Sequence, residues 1–191
     1  LHHQAKEYIK FLDDEGRKNQ TALLTGIPYQ QNQDEPYPGA YHNTVIALGE
    51  GSGIYHKRKL VPFGEYVPLE DMLRGLIKFL DLPMSGFSPA KTAQSPMDFD
   101  DFNVIPAICY EIAYPEIVRQ LAQQSSKPMT IVTVSNEAWF GDSFGPYQHM
   151  QMARMRSLEL GVPLIRSTND GITAVVNAEG EVTRMLPRYQ Q

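Results

Sequence analysis

The only cysteine of this 191-residue chain, Cys109, is the residue best suited to nucleophilic chemistry. It ends an apolar run at 104–108, and Tyr110 and Glu111 follow it directly. A helical pattern begins at Pro115, so the thiol is predicted at a turn between a strand and a helix, where the positive helix end favours thiolate. A lone cysteine after a strand is also commonly a small buried apolar residue, and its position alone leaves both interpretations open.

Two charged residues earlier in the chain could assist such a thiol. Lys57 lies in the run Tyr-His-Lys-Arg-Lys-Leu, which ends at Leu60. A nearby cation favours thiolate and could stabilise an oxyanion during acyl transfer. Glu65 lies between two prolines, Pro62 and Pro68, which predict a stiff loop. Both residues also fit a solvated strand edge and a surface turn, so these alternatives stay open.

The single tryptophan, Trp139, follows the most apolar predicted strand, residues 129–135. Loops at the carboxyl ends of such strands carry ligand sites in α/β sheets, although a loop tryptophan can also simply cap the core. Arg156 and Glu159 are three residues apart on a predicted helix and can pair on one face. Arg166 and Asn169 are interpreted in the same way, as ion-pair and turn residues rather than catalysts.

The elements that must position these residues alternate between helix and strand. Helices are predicted at 5–18, 69–80, 115–124 and 147–160. Strands are predicted at 21–27, 41–48, 54–57, 102–109, 129–135 and 162–166, with a hairpin over 172–177 and 182–186. Residues 83–95 are predicted to be a long loop, and strand 129–135 to be buried on both faces. Such alternation predicts an α/β domain with helices packed on sheets.

Composition excludes several classes of function. The net charge is −5, and no basic patch points to a nucleic-acid partner. No run reaches the ~20 apolar residues of a membrane span, and no signal peptide is visible. The five histidines lack zinc-site spacing, and phosphate-loop and dinucleotide fingerprints are absent from the sequence, so we expect no metal and no cofactor. The start at Leu1, without methionine, suggests a piece of a longer protein.

Taken together and in order, these runs resemble the nitrilase, or carbon–nitrogen hydrolase, superfamily. The motifs are Tyr-His-Lys at 55–57, Cys-Tyr-Glu at 109–111 and Asn-Glu-Ala-Trp-Phe-Gly at 136–141. Longer strings at 60–68, 81–85, 148–156 and 166–173 resemble the bacterial apolipoprotein N-acyltransferases of that superfamily. The resemblance implies an αββα four-layer sandwich, truncated at both ends, with residues 1–191 as a partial carbon–nitrogen hydrolase domain.

The resemblance also implies roles for individual residues. The superfamily has a Glu-Lys-Cys triad, in which Cys109 matches the nucleophile and Lys57 the lysine, while Lys59 occupies a variable position of the motif. The remaining matches are Glu65, Tyr110 and Glu111 as supporting residues and Trp139 as a substrate-pocket aromatic.

One part of the family pattern has no match. The triad glutamate precedes the first strand in a Pro-Glu context, whereas Glu7, the first glutamate here, lies in the predicted opening helix. The family's membrane-spanning N-terminal region and its C-terminal tail are also unmatched. The resemblance is therefore to the central part of the periplasmic catalytic domain, without its general base.

The activity implied is ping-pong acyl transfer at the periplasmic face of the bacterial inner membrane. A phospholipid donates an acyl chain to the cysteine as a thioester, and the N-terminal amine of a diacylated apolipoprotein accepts it. Membrane association would come through the unmatched spanning region, and the present chain alone is expected to be inactive. The alternatives are a soluble amidase of the same superfamily and a folded, non-catalytic fragment.

Overall fold

The computed structural model describes residues 6–62, 64–66 and 86–188. Within these residues the α-helices are α1 (Lys6–Lys18), α2 (Pro115–Ala122) and α3 (Gly145–Leu160). The strands are β1 (Ala22–Gln30), β2 (Tyr41–Gly49), β3 (Ile54–His56), β4 (Met97–Phe99), β5 (Phe102–Ile108), β6 (Met129–Ser135), β7 (Leu164–Thr168), β8 (Ala174–Val176) and β9 (Val182–Met185).

The first sheet is antiparallel, in the order β1-β2-β3. Side chains alternate along β2, so that Val45 joins the central core while Ile46 is buried on the opposite face. Helix α1 packs against β1 and β2, and the Gly49 amide donates to Asp13 Oδ1 at 2.7 Å. The sheet is therefore covered on both sides, by α1 on one and by the core on the other.

The second sheet has the order β4-β5-β6-β7-β8-β9. Its three central strands, β5, β6 and β7, are parallel, and β4, β8 and β9 are antiparallel to their neighbours. Helices α2 and α3 follow two of the parallel strands and pack on β5 and β7. The carboxyl ends of the parallel strands therefore meet at one edge, where ligand sites of α/β sheets form.

The two sheets pack face to face. Strand β2 contacts β5, and a Cβ added at Gly26 of β1 would lie 3.7 Å from Val134 Cγ2 of β6. The layers are thus helix, sheet, sheet and helix, which confirms the predicted αββα sandwich. In the described part of the chain, no helix combines the length and the apolar character needed to cross a membrane.

The structure changes some predicted bounds. Strand β1 runs three residues past its predicted end, and β4 was not predicted. Strand β6 has its predicted bounds, but Val134 is only partly buried because it faces an open pocket, so burial on both faces was wrong. The predicted helix at 69–80 lies outside the described residues. The predicted loop at 83–95 forms no helix or strand where it is described, from residue 86 onward.

Candidate active site

A cavity of about 610 Å³ opens between the two sheets, at the carboxyl ends of β5, β6 and β7. Strands β1 and β2 form its opposite wall. Its lining includes Lys57, Glu65, Cys109, Ser135, Trp139 and Asn169. Residues more than 100 positions apart in the sequence therefore share one pocket because the sandwich stacks their strands.

Cys109 sits at the turn that the sequence predicts. Strand β5 ends at Ile108, and Cys109 begins a 3₁₀ turn, Cys109–Ala113, ahead of α2. Its φ is +53°, a left-handed conformation that is uncommon for a residue other than glycine. The half-buried thiol lines the large cavity and also a smaller one. The backbone thus turns sharply at the one residue that can act as a thiol nucleophile.

Lys57 and Glu65 form a buried ion pair in the pocket wall. Lys57 Nζ lies 2.8 and 2.7 Å from the two carboxylate oxygens of Glu65, and the side chains are 1% and 3% exposed. Glu65 also accepts from the Val61 amide at 2.8 Å and from the Asn43 side-chain amide. The Lys57 amide donates to the Asn43 carbonyl at 2.8 Å. These bonds fix the ammonium group on the same pocket as Cys109.

Glu111 lies behind the pocket rather than in its lining. Its Oε2 accepts from the Ile108 amide at 2.9 Å, just before Cys109. Its Oε1 accepts from the amides of Arg58 and Lys59 at 2.6 and 3.1 Å and from the Tyr55 hydroxyl at 3.2 Å. Burial raises the pKa of Glu111, and the backbone donors oppose that rise. This carboxylate therefore ties the segment after Lys57 to the turn that carries Cys109.

Tyr110 and Trp139 border a smaller, almost wholly apolar cavity of about 170 Å³. Cys109, Val61 and Phe140 complete its lining. Trp139 also lines the large cavity, and its Nε1 donates to a backbone carbonyl three residues earlier at 2.8 Å. The thiol thus stands between a larger cavity lined by both polar and apolar side chains and a smaller apolar one.

Other predicted residues lie away from the thiol. Lys59 is exposed, with Nζ 5.7 Å from the Tyr114 ring centroid, so Lys57 is the lysine that enters the pocket. Arg156 pairs with Glu159 at 2.6 Å, as predicted. Asn169 is a pocket residue as well as a turn residue.

Sequence reasoning missed three polar residues near the site: Asn43, Glu137 and His149. Asn43 holds Glu65, and the buried Glu137 pairs with His149 and with Arg166. Arg166 therefore has the structural ion pair expected of it. Glu137 lies 12 positions from His149 and 29 from Arg166, and Asn43 lies 22 positions from its partner in the pocket. Local sequence spacing gives no signal for contacts between residues so far apart. Within the described ranges, no three His, Cys, Asp or Glu side chains are grouped so as to hold a metal ion.

The pocket brings together a thiol and a buried ammonium group, two of the groups that acyl transfer can use. A thiol can attack an acyl carbon, and a buried ammonium group can offset the negative charge that develops on the acyl oxygen. The apolar cavity beside the thiol offers space for a hydrocarbon segment.

The chain matches known proteins along its whole length. The carbon–nitrogen hydrolase family model matches residues 2–191. An apolipoprotein N-acyltransferase of Azotobacter vinelandii is 47% identical over 191 residues, which are 100% of this chain and 36% of that protein. The enzyme of the same name from Pseudomonas aeruginosa strain LESB58 is 44% identical over 100% of this chain and 37% of its own length. The chain thus spans little more than a third of these relatives.

Solved structures support the fold at lower sequence identity. A carbon–nitrogen hydrolase of Helicobacter pylori G27 superposes with a TM-score of 0.72 at 16% identity, over 100% of this chain and 67% of that one. Nit3 of Saccharomyces cerevisiae, a nitrilase-superfamily member, gives 0.68 at 17% identity, over 96% and 62%. An amidase of Nesterenkonia sp. AN1, with acrylamide added at its active-site cysteine, gives 0.65 at 18% identity, over 97% and 66%. Fold and family match agree, and the chain belongs to the carbon–nitrogen hydrolase family.

Proposed function

We propose that this chain carries the nucleophile and the lysine of an apolipoprotein N-acyltransferase. The observation that carries the proposal is the pocket shared by Cys109, Lys57 and Glu65. Relatives of that name are 41–47% identical over nearly all of the chain, which supports the same activity. The solved Nesterenkonia amidase forms a covalent adduct at its active-site cysteine, which supports a nucleophilic role for the thiol.

The reaction proceeds in two acyl transfers. A general base removes the proton of Cys109, and the thiolate attacks the sn-1 ester carbon of a phospholipid. The ester C–O bond breaks, and the lysophospholipid leaves with the proton while the acyl chain stays on sulfur. The free α-amine of a diacylglyceryl-cysteine then attacks the thioester, the C–S bond breaks, and the proton of the amine returns to the thiolate through the base. The product is a triacylated lipoprotein.

Lys57 stabilises the oxyanion of both tetrahedral intermediates. Its ammonium group is already desolvated and oriented by Glu65, so little reorganisation is needed when charge develops. Glu111 supports the same step indirectly, because its carboxylate accepts hydrogen bonds from the backbone on both sides of the pocket. Tyr110 and Trp139 border the apolar cavity that receives the first carbons of the acyl chain.

We infer that neither Glu65 nor Glu111 is the general base. Glu65 accepts from Lys57, Val61 and Asn43, and the four donors to Glu111 likewise occupy both of its oxygens. We therefore expect negligible turnover from the 191-residue chain alone. The active enzyme would act at the periplasmic face of the inner membrane, in a protein as long as the relatives.

Mass spectrometry of the full-length gene product, incubated with phospholipid vesicles, tests this function. We expect an acyl adduct on Cys109 that disappears when a diacylated lipopeptide is added. The 191-residue chain should form no adduct under the same conditions. Turnover of lipopeptide without an adduct on Cys109 would reject the nucleophile, and hydrolysis of small amides without acyl transfer would favour the amidase.

The substitution Lys57→Met in the same protein tests the lysine. It leaves Glu65 buried without its cation, so we expect the free energy of unfolding to fall by about 3–5 kcal/mol. Acylation of Cys109 should slow by roughly 10²–10³-fold, as for loss of an oxyanion donor. Lys59→Met removes the same charge from an exposed lysine outside the pocket and is the matched control.

The double variant Lys57→Met/Glu65→Leu separates stability from chemistry. An apolar pair should recover only part of the lost stability: buried ion pairs can be replaced by packed hydrophobic residues, but the Val61 amide and the Asn43 side chain lose their acceptor. Acylation should stay slow, because the ammonium group is still absent. Recovery of acylation together with stability would assign Lys57 a purely structural role.

A further inference from the structure

A second buried ionic group lies beneath the loop that carries Trp139. We call it the Glu137 cluster; it consists of Glu137, His149 and Arg166. These side chains are 2% exposed or less. They come from three elements: the loop after β6, helix α3 and strand β7. The proposed reaction uses none of them.

All three side chains meet at one carboxylate oxygen. Glu137 Oε1 lies 2.6 Å from His149 Nδ1 and also accepts from Arg166 Nη2. Burial lowers the pKa of Arg166, and the adjacent carboxylate opposes that shift. Burying such groups is costly, and an apolar replacement is often at least as stable. The cluster therefore calls for an explanation other than stability, and its place under the loop supplies one.

The loop above the cluster forms walls of both cavities. Asn136 and Trp139 line the large cavity, and Trp139 and Phe140 line the apolar one. The Glu137 amide donates to Asn169 Oδ1 at 3.2 Å, and Trp139 Nε1 donates to the Asn136 carbonyl. The backbone of Glu137 is thus bonded to Asn169 of the pocket wall, while its side chain is anchored below.

The cluster also reaches the turn of the thiol. The His149 ring centroid lies 6.1 Å from the centroid of Tyr110, the residue after Cys109, and 6.1 Å from that of Phe140. Arg166 is followed in β7 by Ser167, which lines the large cavity. A displacement of Glu137 would therefore shift residues on both sides of the thiol.

The absence of a side chain at Gly171 leaves room for the carboxylate of Glu137. A Cβ added there would lie 1.7 Å from Glu137 Oε2 and 2.5 Å from its carboxyl carbon. The φ of Gly171 is not positive, so an alanine would meet no backbone obstacle of that kind. A single methyl group at this position therefore displaces the carboxylate without changing any charge.

We propose that the Glu137 cluster is a positioning device that sets the place of Trp139 relative to Cys109, and through it the width of the entrance to the thiol. Glu137 is the positioning residue, and Arg166 and His149 hold it. The consequence for acyl transfer rests on the proposed function, whereas the geometry of the loop does not.

Gly171→Ala in the 191-residue chain tests this inference directly. Trp139 is the only tryptophan, so its emission reports the loop alone. We expect a shifted emission maximum and altered acrylamide quenching. The rate of Cys109 alkylation by a bulky maleimide should change severalfold relative to that by iodoacetamide. Gly86→Ala, where a Cβ would meet nothing within 4 Å, should change neither and is the matched control.

A folded Gly171→Ala protein, judged by circular dichroism, with unchanged emission and an unchanged reagent ratio would overturn the inference. If Gly171→Ala does not fold, Glu137→Asp carries the same test, because it keeps the charge and shortens the tether by one carbon. Trp139 emission and the ratio of the two alkylation rates are then measured on Glu137→Asp, and the same changes are expected.

Acyl transfer is measured separately in the full-length protein. A misplaced pocket wall should slow formation of the Cys109 thioester by up to about 10²-fold. Absence of a thioester in the unsubstituted protein would reject the proposed function, yet the emission and alkylation results would still decide the role of the cluster.

Discussion

The thiol of Cys109 is presented by a backbone conformation that side chains disfavour. Its φ of +53° places it in the left-handed region, which costs a residue with a Cβ roughly 1–2 kcal/mol. Glu111 opposes that cost, because its carboxylate accepts from the Ile108 amide at 2.9 Å and so fixes the start of the turn. Strain held by surrounding bonds is typical of residues whose orientation matters for chemistry.

This conformation predicts an unusual order of stability for two substitutions. Glycine normally destabilises an element by roughly 0.5–1 kcal/mol relative to alanine, but it removes the cost of a left-handed φ. We therefore expect Cys109→Gly to be at least as stable as Cys109→Ala in urea unfolding. Lys10, which is exposed within α1, provides the control. Lys10→Gly should be less stable than Lys10→Ala by about 1 kcal/mol. An alanine variant at 109 that is clearly more stable than the glycine variant would contradict the argument.

Among the secondary-structure elements, the pairing of β2 with β3 places the buried His42 beside the partly buried His56. The rings of His42 and His56 lie 4.7 Å apart between centroids. His42 Nδ1 lies 2.7 Å from the Ser88 carbonyl oxygen, and His56 Nδ1 lies 2.7 Å from Thr44 Oγ1. Burial, reinforced by the neighbouring His42, lowers the pKa of His56 to about 4. The hairpin that leads to Lys57 thus favours a neutral His56 ring.

The lowered pKa of His56 gives this hairpin a defined response to acid. Between pH 6.5 and 4 the unfolded chain binds a proton that the folded chain does not, so stability falls as pH falls. Above pH 6.5 the contribution is fully present. Because the ring is partly solvated, we expect a loss of only ~1–2 kcal/mol. In urea unfolding, His56→Gln should have a lower free energy of unfolding than the unsubstituted protein at pH 7.5, and this difference should shrink toward pH 4. A difference that stays constant with pH would assign the acid response to other groups.

The elements also show what local sequence can and cannot predict. Strand β6 has the predicted bounds because its β-prone run lies between Pro128 and Asn136. Strand β4 was missed because it has three residues, one of them Asp98, and it is defined by its pairing with β5. The ion pair of Arg166 was expected, but its partner Glu137 and the space left by Gly171 depend on contacts between distant strands and loops.

At the scale of the whole molecule, the stacking of two sheets creates the pocket and also leaves open edges. Lys57 follows the first sheet and Cys109 follows β5 of the second, so neither sheet alone holds the site. Strand β9 ends the second sheet, and all four of its residues are exposed. Met185 at its end is 62% exposed. In the part of the chain that the structure describes, this edge has free backbone groups beside apolar side chains, which favours pairing with another chain.

The open edge predicts that this 191-residue chain self-associates as its concentration rises toward about 100 µM. Met185→Lys should weaken that association, because a charge on an edge strand disfavours pairing, while stability should change by less than about 0.5 kcal/mol at so exposed a position. Gln123→Lys adds the same charge just beyond α2, away from the edge, and is the control. Sedimentation velocity over a concentration series measures the self-association of Met185→Lys and of Gln123→Lys. Equal effects of both lysines would indicate a response to net charge, and a chain that stays monomeric throughout would show that β9 is protected.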